Sequence, residues 1–312
     1  MEGTTMAKRI LDCTASDFLT FTKADLLESI RKSEGRTLAC ETIGAVMPVL
    51  NNVTNAEFAA AMGADILLLN MFDVQKPSIQ GLPACEPAET IRVLKHLTGR
   101  PIGINLEPVP EGRDGETDPM WAMTAGRKAT VDNARKAKEM GIDFILLTGN
   151  PGMGVTNETI LATLKKLKAA VGDSIVLAAG KMHGAGVFSR SAEEFLSTGD
   201  VEDFINAGAD ILLLPAPGTV PGITLEYARE LITKAHSLGA LAITSIGTSQ
   251  EGADTDTIRR IALMCKMAGT DIHHVGDTGF VGMASPENIT AYSIAIRGIR
   301  HTYHRMACSV NR

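Results

Sequence analysis

Eight short apolar runs recur along the 312-residue chain, at Thr37–Ile43, Asp65–Met71, Pro101–Leu106, Asp143–Leu147, Ser174–Ala179, Asp210–Leu214, Leu241–Ser245 and Asp271–Val275. Runs of Val, Ile and Leu of this length suit a parallel sheet covered on both faces. A helical stretch follows each run: Thr54–Met62, Glu86–Leu97, Ala125–Met140, Asn157–Val171, Ala192–Asn206, Leu225–Leu238, Asp256–Ala268 and Pro286–His304. Thr54-x-x-Glu57 and Ser191-x-x-Glu194 read as capping boxes, while Gly141, Gly172, Gly239 and Gly269 stand where helices should stop. The fifth helical stretch is expected to break near Gly199. Strict alternation implies right-handed crossovers, and eight units favour closure into an α/β fold of the (β/α)8 TIM-barrel type. Ser16–Lys32 reads as one extra helix over the barrel floor. The expectation is a single domain, with an N-terminal helical extension over 1–35 and the barrel over 36–312.

A repeated entry turn supports the count. The second, fourth, sixth and eighth runs are entered through Gly63-Ala64-Asp65, Gly141-Ile142-Asp143, Gly208-Ala209-Asp210 and Gly269-Thr270-Asp271. Gly-Ala-Asp-Ile-Leu-Leu-Leu occurs at both 63–69 and 208–214, which suggests a fourfold repeat of a βαβα quarter. Convergence on a common helix-to-strand turn would give the same strings. These aspartates are read as structural, because they precede the strands.

Composition narrows the setting. Hydrophobic residues make up 45% and aromatics 4%, so the core must be aliphatic. A net charge of -6 gives no basic stripe, which argues against nucleic acid as a partner and leaves a small anionic substrate open. No apolar run is long enough for a membrane, and Met1–Thr20 lacks a signal pattern. Cys13, Cys40, Cys85, Cys265 and Cys308 are far apart and odd in number, as expected of thiols in a reducing cytoplasm. Barrels often pair through outer helices, so a homo-oligomer is expected, with no helix singled out. The basic tail Arg297, Arg300, His301, His304 and Arg305 reads as a solvated face complementing a helix end.

In such a barrel the connections after the strands make the site. Period-two alternation puts Gly103, Asn105 and Glu107 inside the ring, with Ile102, Ile104 and Leu106 outside. Glu41 shares parity with Ala39 and Ile43; Lys181 and His183 share it with Ile175, Leu177 and Ala179. Glu41, Glu107, Lys181 and His183 are therefore the candidate catalytic groups, converging at one mouth. Asn70, Asp73, Asn105, Thr148, Asn150 and Asp277 are candidate substrate ligands. Lys181 has three readings: a Schiff base, substrate binding or proton transfer, and an ion pair with the two glutamates. Glu41, Glu107 and His183 leave a divalent metal open, though no tight ligand spacing supports it, and no cofactor is demanded.

Glycine-rich loops follow the last two strands. Gly247, Thr248 and Ser249, with Gly276, Thr278 and Gly279, are candidates for holding a phosphate on backbone amides. Asp277 is an awkward neighbour there, because a carboxylate repels phosphate. The loop Gly149–Gly154 fits no nucleotide pattern. Pro108–Met123, with Trp121, reads as a lid or as an ordinary surface excursion.

The strings Leu69–Pro77, Gly276–Asn288 and Arg297–Tyr303 resemble a poorly characterised bacterial barrel family. Its members carry labels such as phosphoenolpyruvate phosphonomutase-like or haloacid-dehalogenase-like hydrolase. The resemblance implies a barrel enzyme and carries no catalytic residues with it. A dehalogenase nucleophile needs Asp-x-Asp after the first strand; here that spacing is Asp254-Thr-Asp256, opening a late helix. The leading expectation is an isomerase, epimerase or aldolase-type lyase acting on a small phosphorylated sugar or carboxylate. The alternatives are a phosphonomutase or hydrolase, as the labels suggest, and a non-catalytic metabolite-binding or assembly protein.

Overall fold

Eight parallel strands close into one ring in the order β1 to β8, with β8 paired back to β1. The computed structural model describes residues 7–110, 123–184 and 191–312. The strands are β1 Thr37–Ile43, β2 Ile66–Asn70, β3 Ile102–Leu106, β4 Phe144–Leu147, β5 Val176–Gly180, β6 Ile211–Pro215, β7 Leu241–Ile246 and β8 Ile272–Val275. Ahead of the ring stand α1 Ala15–Thr20 and α2 Lys23–Arg31. Between strands run α3 Asn55–Ala61, α4 Thr90–Thr98, α5 Val131–Glu139, α6 Asn157–Val171, α7 Ala192–Phe195, α8 Thr198–Asn206, α9 Leu225–Ser237 and α10 Thr255–Ala268; α11 Pro286–Ala307 follows β8. This is the (β/α)8 barrel that the alternation predicts.

The core has two layers. Ile66, Leu68, Phe144, Leu146, Val176, Ala178, Ile211, Leu213 and Ile243 fill the ring. Leu26 and Ile30 of α2 close it from below. Outside, Ile102, Ile104, Leu106, Leu177 and Ala179 pack against the helices. Gly103 belongs to the inner face: a Cβ there would come within 2.2 Å of the Phe144 ring.

The entry aspartates act as latches. Each carboxylate accepts the backbone N–H near the start of the preceding odd strand: Asp65 from Leu38 at 2.9 Å, Asp143 from Ile102 at 2.7 Å, Asp210 from Leu177 at 2.8 Å and Asp271 from Ala242 at 2.8 Å. Each also meets a base from a helix. Asp143 pairs with Lys95 at 2.7 Å, Asp210 with Lys23 at 2.6 Å and Asp271 with His236 at 2.7 Å. Asp65 pairs with both Arg297 and Arg305 of α11. The same latch in all four quarters accounts for the Gly-x-Asp repeat.

Three expectations are corrected and one is sharpened. The extension holds two helices, not one, because Thr22 caps α2 and the chain turns at Phe21; a 3-10 turn at Ile10–Asp12 precedes them. The break in the fifth helical stretch falls at Leu196–Ser197, where Ser197 caps α8, and Gly199 lies inside the first turn. The helical part of 125–140 is largely α5, since Thr130 caps a new start after a 3-10 turn at Ala125–Arg127. The basic tail is not all solvated: Arg297 and Arg305 are buried, and Arg305 also donates to the carbonyls of Cys13 and Ile10. Gly298, at φ 76° and ψ 167°, interrupts α11 between them.

Candidate functional site

A cavity of about 400 Å³ opens at the carboxyl ends of the strands. Its polar floor comes from strand ends. Inner-face parity carries Glu41 on β1, Asn70 on β2, Asn105 on β3, Glu107 just beyond β3 and Thr148 just beyond β4 to this opening. Asp277 and Thr278 arrive from the turn after β8, and Glu251 from the loop after β7.

One hydrogen-bonded chain crosses this floor. Asn105 Nδ2 lies 2.6 Å from Glu41 Oε1 and 3.1 Å from Asn70 Oδ1. Asn70 Nδ2 in turn donates to Asp277 Oδ2 at 2.8 Å. Two buried carboxyl groups are thus joined through two carboxamides. Burial pushes Glu41 well above the ordinary carboxylate range, and the charge of Asp277 pushes it further. Burial raises Asp277 to about 6, against the hydrogen bond from Asn70 and with the help of Glu251. Both carboxyls are thus shifted toward their neutral forms, with Asp277 brought to about 6. Two buried carboxyls with shifted protonation at one opening can serve as acid and base.

Beneath Glu41 lies His274, fully buried. Its Nδ1 is 2.7 Å from Ser245 Oγ, and its Nε2 is 3.6 Å from Glu41 Oε2. Burial lowers this imidazole to about 3, so it is neutral. Glu107 is raised by burial, but Arg127 opposes the rise through an ion pair at 2.5 Å. Burial also lowers His183, against the pull of Glu251.

Among the described residues, Asn105 Oδ1, Thr148 Oγ1, His183 Nδ1 and Glu251 Oε2 are buried at this cavity without a hydrogen-bond partner. Buried polar atoms are nearly always paired, so such a ring of unmet groups points to polar ligand atoms or ordered water. Among the described residues no group of three or more His, Cys, Asp or Glu side chains is arranged to hold a metal. Within these residues, Glu41, Glu107 and His183 do not form the ligand set that the sequence left open.

Of the residues expected at the mouth, Glu41, Glu107, His183, Asn70, Asn105, Thr148, Asn150 and Asp277 line the cavity, as do Gly247, Gly276 and Thr278. Lys181 does not. Leu177 and Ala179 face the helices, so the same parity takes Lys181 outward; its Nζ lies 5.2 Å from the centre of the Phe195 ring and 3.4 Å from the Phe195 carbonyl. The expected acid–lysine cluster is replaced by Glu107 paired with Arg127 and by Glu41 bonded to Asn105. His183 reaches the cavity because β5 ends at Gly180, before parity could turn it away. Asp73 is also outside, folded into a turn where it accepts the N–H groups of Gln75 and Lys76 at 2.7 and 2.9 Å.

Two of the glycines lie close against the protein's own groups. A Cβ on Gly276 would lie 2.7 Å from Glu251 Oε1, and one on Gly247 would lie 2.9 Å from Met182 Sδ. Glu251 Oε1 accepts the N–H of Thr278 at 3.0 Å and its hydroxyl at 2.6 Å. The amide expected to meet a phosphate is thus bound to a carboxylate. Thr248 donates its hydroxyl within the loop cluster, to the Thr219 carbonyl or Gln250 Oε1. Ser249 is held at φ 67°, and Gly279 packs on the Gly252 amide. None of these three lines the cavity.

Sequence reasoning missed Glu251, His274 and Arg127. His274 shares inner-face parity with Ile272, which was available; Arg127 and Glu251 sit in connections with no local signal. Of the expected lid over Pro108–Met123, residues 111–122, including Trp121, lie outside the described residues. All five cysteines are free thiols, and among the described residues no helix is long and apolar enough to cross a membrane.

Known proteins place this fold in context. An archaeal fructose 1,6-bisphosphate aldolase superposes with a TM-score of 0.52 at 13% identity, over 84% of this chain and 94% of that one. A thiamine phosphate pyrophosphorylase from Pyrococcus furiosus gives a TM-score of 0.46 at 14% identity, over 84% and 96%. At such identities the likeness concerns the fold alone. A Haemophilus influenzae protein provisionally named an N-acetylmannosamine-6-phosphate 2-epimerase is 36% identical over 90 residues. That match takes in 28% of this chain and 33% of the relative, so the chain spans a third of the curated relative it matches. The phosphonomutase and hydrolase labels gain no support from these relatives. The sequence family described as a domain of unknown function, DUF7916, matches residues 11–312, nearly the whole chain, and the protein belongs to that family.

Proposed function

We propose that the protein is an enzyme of the epimerase or isomerase class, which moves a proton at a carbon beside a carbonyl in a small, phosphorylated, polyhydroxylated compound. The observation that carries this reading is the Glu41–Asn105–Asn70–Asp277 chain, which brings two buried carboxyls to one opening. In the step, Asp277 carboxylate takes the proton from carbon as Glu41 gives its proton to the carbonyl oxygen. An enediol results. Return of a proton to carbon, with recovery of the Glu41 proton from the enediol, completes the transfer and leaves both carboxyls as they began. The unmet polar atoms of Asn105, Thr148, His183 and Glu251 supply partners for substrate hydroxyls.

The phosphate is supported by the name of the curated relative, a sugar 6-phosphate epimerase. Among the described residues, Arg127 and His183 are the lining groups able to carry positive charge. Schiff-base cleavage is set aside, because no lysine lines the cavity among the described residues. Glu251 and Asp277 leave the loops after β7 and β8 a poor place for the anion.

Proton NMR in D2O tests the reading, with a panel of aldoses, ketoses and their phosphates in matched pairs. Loss of a C–H signal beside the carbonyl, with the native protein and not with Asp277→Asn, is the expected result. Tight binding of a panel member with no exchange at any carbon would replace this reading with that of a metabolite sensor.

A further inference from the structure

The polar floor occupies one part of the cavity wall; methionine makes up much of the rest. Met71, Met123, Met153 and Met182 line it, one from each of the four successive connections after β2 to β5. In the first three of these connections the methionine follows the polar groups of its own strand along the chain. No Phe, Tyr or Trp is among the described lining residues.

Two local features commit backbone and space to these side chains. Met71 is held at φ 57°, a region that side-chain-bearing residues seldom adopt, with its N–H bonded to Asn70 Oδ1 at 2.9 Å. Asn70 is the residue that holds Asp277, so the polar chain and the placement of Met71 are one construction. Gly247 supplies the second feature, since a Cβ there would crowd Met182. Apolar surface that faces a wet, acid-lined cavity is unfavourable unless something apolar covers it. The thioether side chain is unbranched and polarizable, and it adapts to apolar groups of varied shape.

We propose that this cavity is two-sided, and that its methionine wall takes an alkyl or acyl substituent carried by the polyhydroxylated substrate. The inference rests on reading the cavity as the substrate site, but it does not need proton transfer to occur there.

The full chain, labelled with carbon-13 at its methionine methyl groups, provides the test. The probes are 1,2-diols from propanediol to hexanediol, each a hydroxylated head with a tail of known length. Single Met→Leu substitutions assign the signals. The signals of Met71, Met123, Met153 and Met182 should shift on titration, while those of Met47 and Met267, 72% and 62% exposed, should not. Affinity should rise about fourfold per added methylene. Affinity independent of tail length, or shifts shared equally by Met47 and Met267, would overturn the proposal. Tail-length dependence without carbon-bound exchange would remove proton transfer and leave the substituent pocket standing; exchange without tail-length dependence would do the reverse.

Discussion

Asn105 places its side-chain amide 2.6 Å from Glu41 across the inner face of the barrel, although 64 residues separate them. Its Nδ2 also lies within reach of Asn70, which carries the connection on to Asp277. The arrangement is expensive for the fold, because it buries two carboxyls beside one another.

That cost has a measurable pH signature. Asp277 moves from an ordinary 3.8 to about 6 on folding, so the native state binds its proton more tightly than the unfolded chain does. Stability from this group is complete below about pH 4 and falls as pH rises toward 6. Asp277→Asn should therefore gain on the native protein by up to about 3 kcal/mol at pH 8, at ~1.4 kcal/mol per pKa unit, and show no gain below pH 4. Urea denaturation across pH 4–8 checks this. In the same window kcat/KM of the native protein should rise as Asp277 becomes ionised, and the variant should lose about two to four orders of magnitude.

Lys181 gives an opposite expectation. Its ammonium meets the ring and carbonyl of Phe195 and does not reach the cavity. Lys181→Met should leave the exchange rate unchanged and cost no more than about 1 kcal/mol of stability. Borohydride with candidate ketones should trap no adduct at this residue. A collapse of turnover in a folded Lys181→Met protein would show that the lysine swings inward.

Asp65 should be the costliest of the four latches to lose. It faces two arginines, Arg297 and Arg305, with side-chain exposures of 0% and 1%. Asp65→Asn strands both charges in the interior and should destabilise by about 3–5 kcal/mol. Asp256→Asn, at an exposed pair with Arg259, should stay within about 1 kcal/mol. Denaturant midpoints of the two variants decide it.

Glu251 blocks the loop amide that a phosphate would use. Glu251→Ala should free Thr278 N–H, so that millimolar inorganic phosphate raises the Tm of the variant more than that of the native protein. Equal protection of both would mean that phosphate binds elsewhere.

Much of this fold was legible because it depends on period and punctuation. Apolar runs, caps and the Gly-x-Asp turns are local, and each turned out to mark a strand, a helix start or a latch. The inner-face parity of β3 placed Asn105 and Glu107 correctly. The reading of Lys181 failed for the same kind of reason that others succeeded: the parity was right, but it points to the helices, and a lysine in a list of polar strand ends looks alike on either face. The phosphate reading of the last two loops treated glycine as room for a ligand. At Gly276 the room is taken by Glu251, from the loop after β7, and at Gly247 by Met182, from the connection after β5, and no local string announces either contact. Arg127 and Arg305 show the same limit, since their partners lie 20 and 240 residues away.

The aspartate latches sit at the foot of the barrel, and the carboxyl pair sits at its crown. The two sets have no residue in common. Selection can therefore rework the crown for a new chemistry without loosening the hoop that keeps it round, and the fourfold foot is the part expected to outlast such changes.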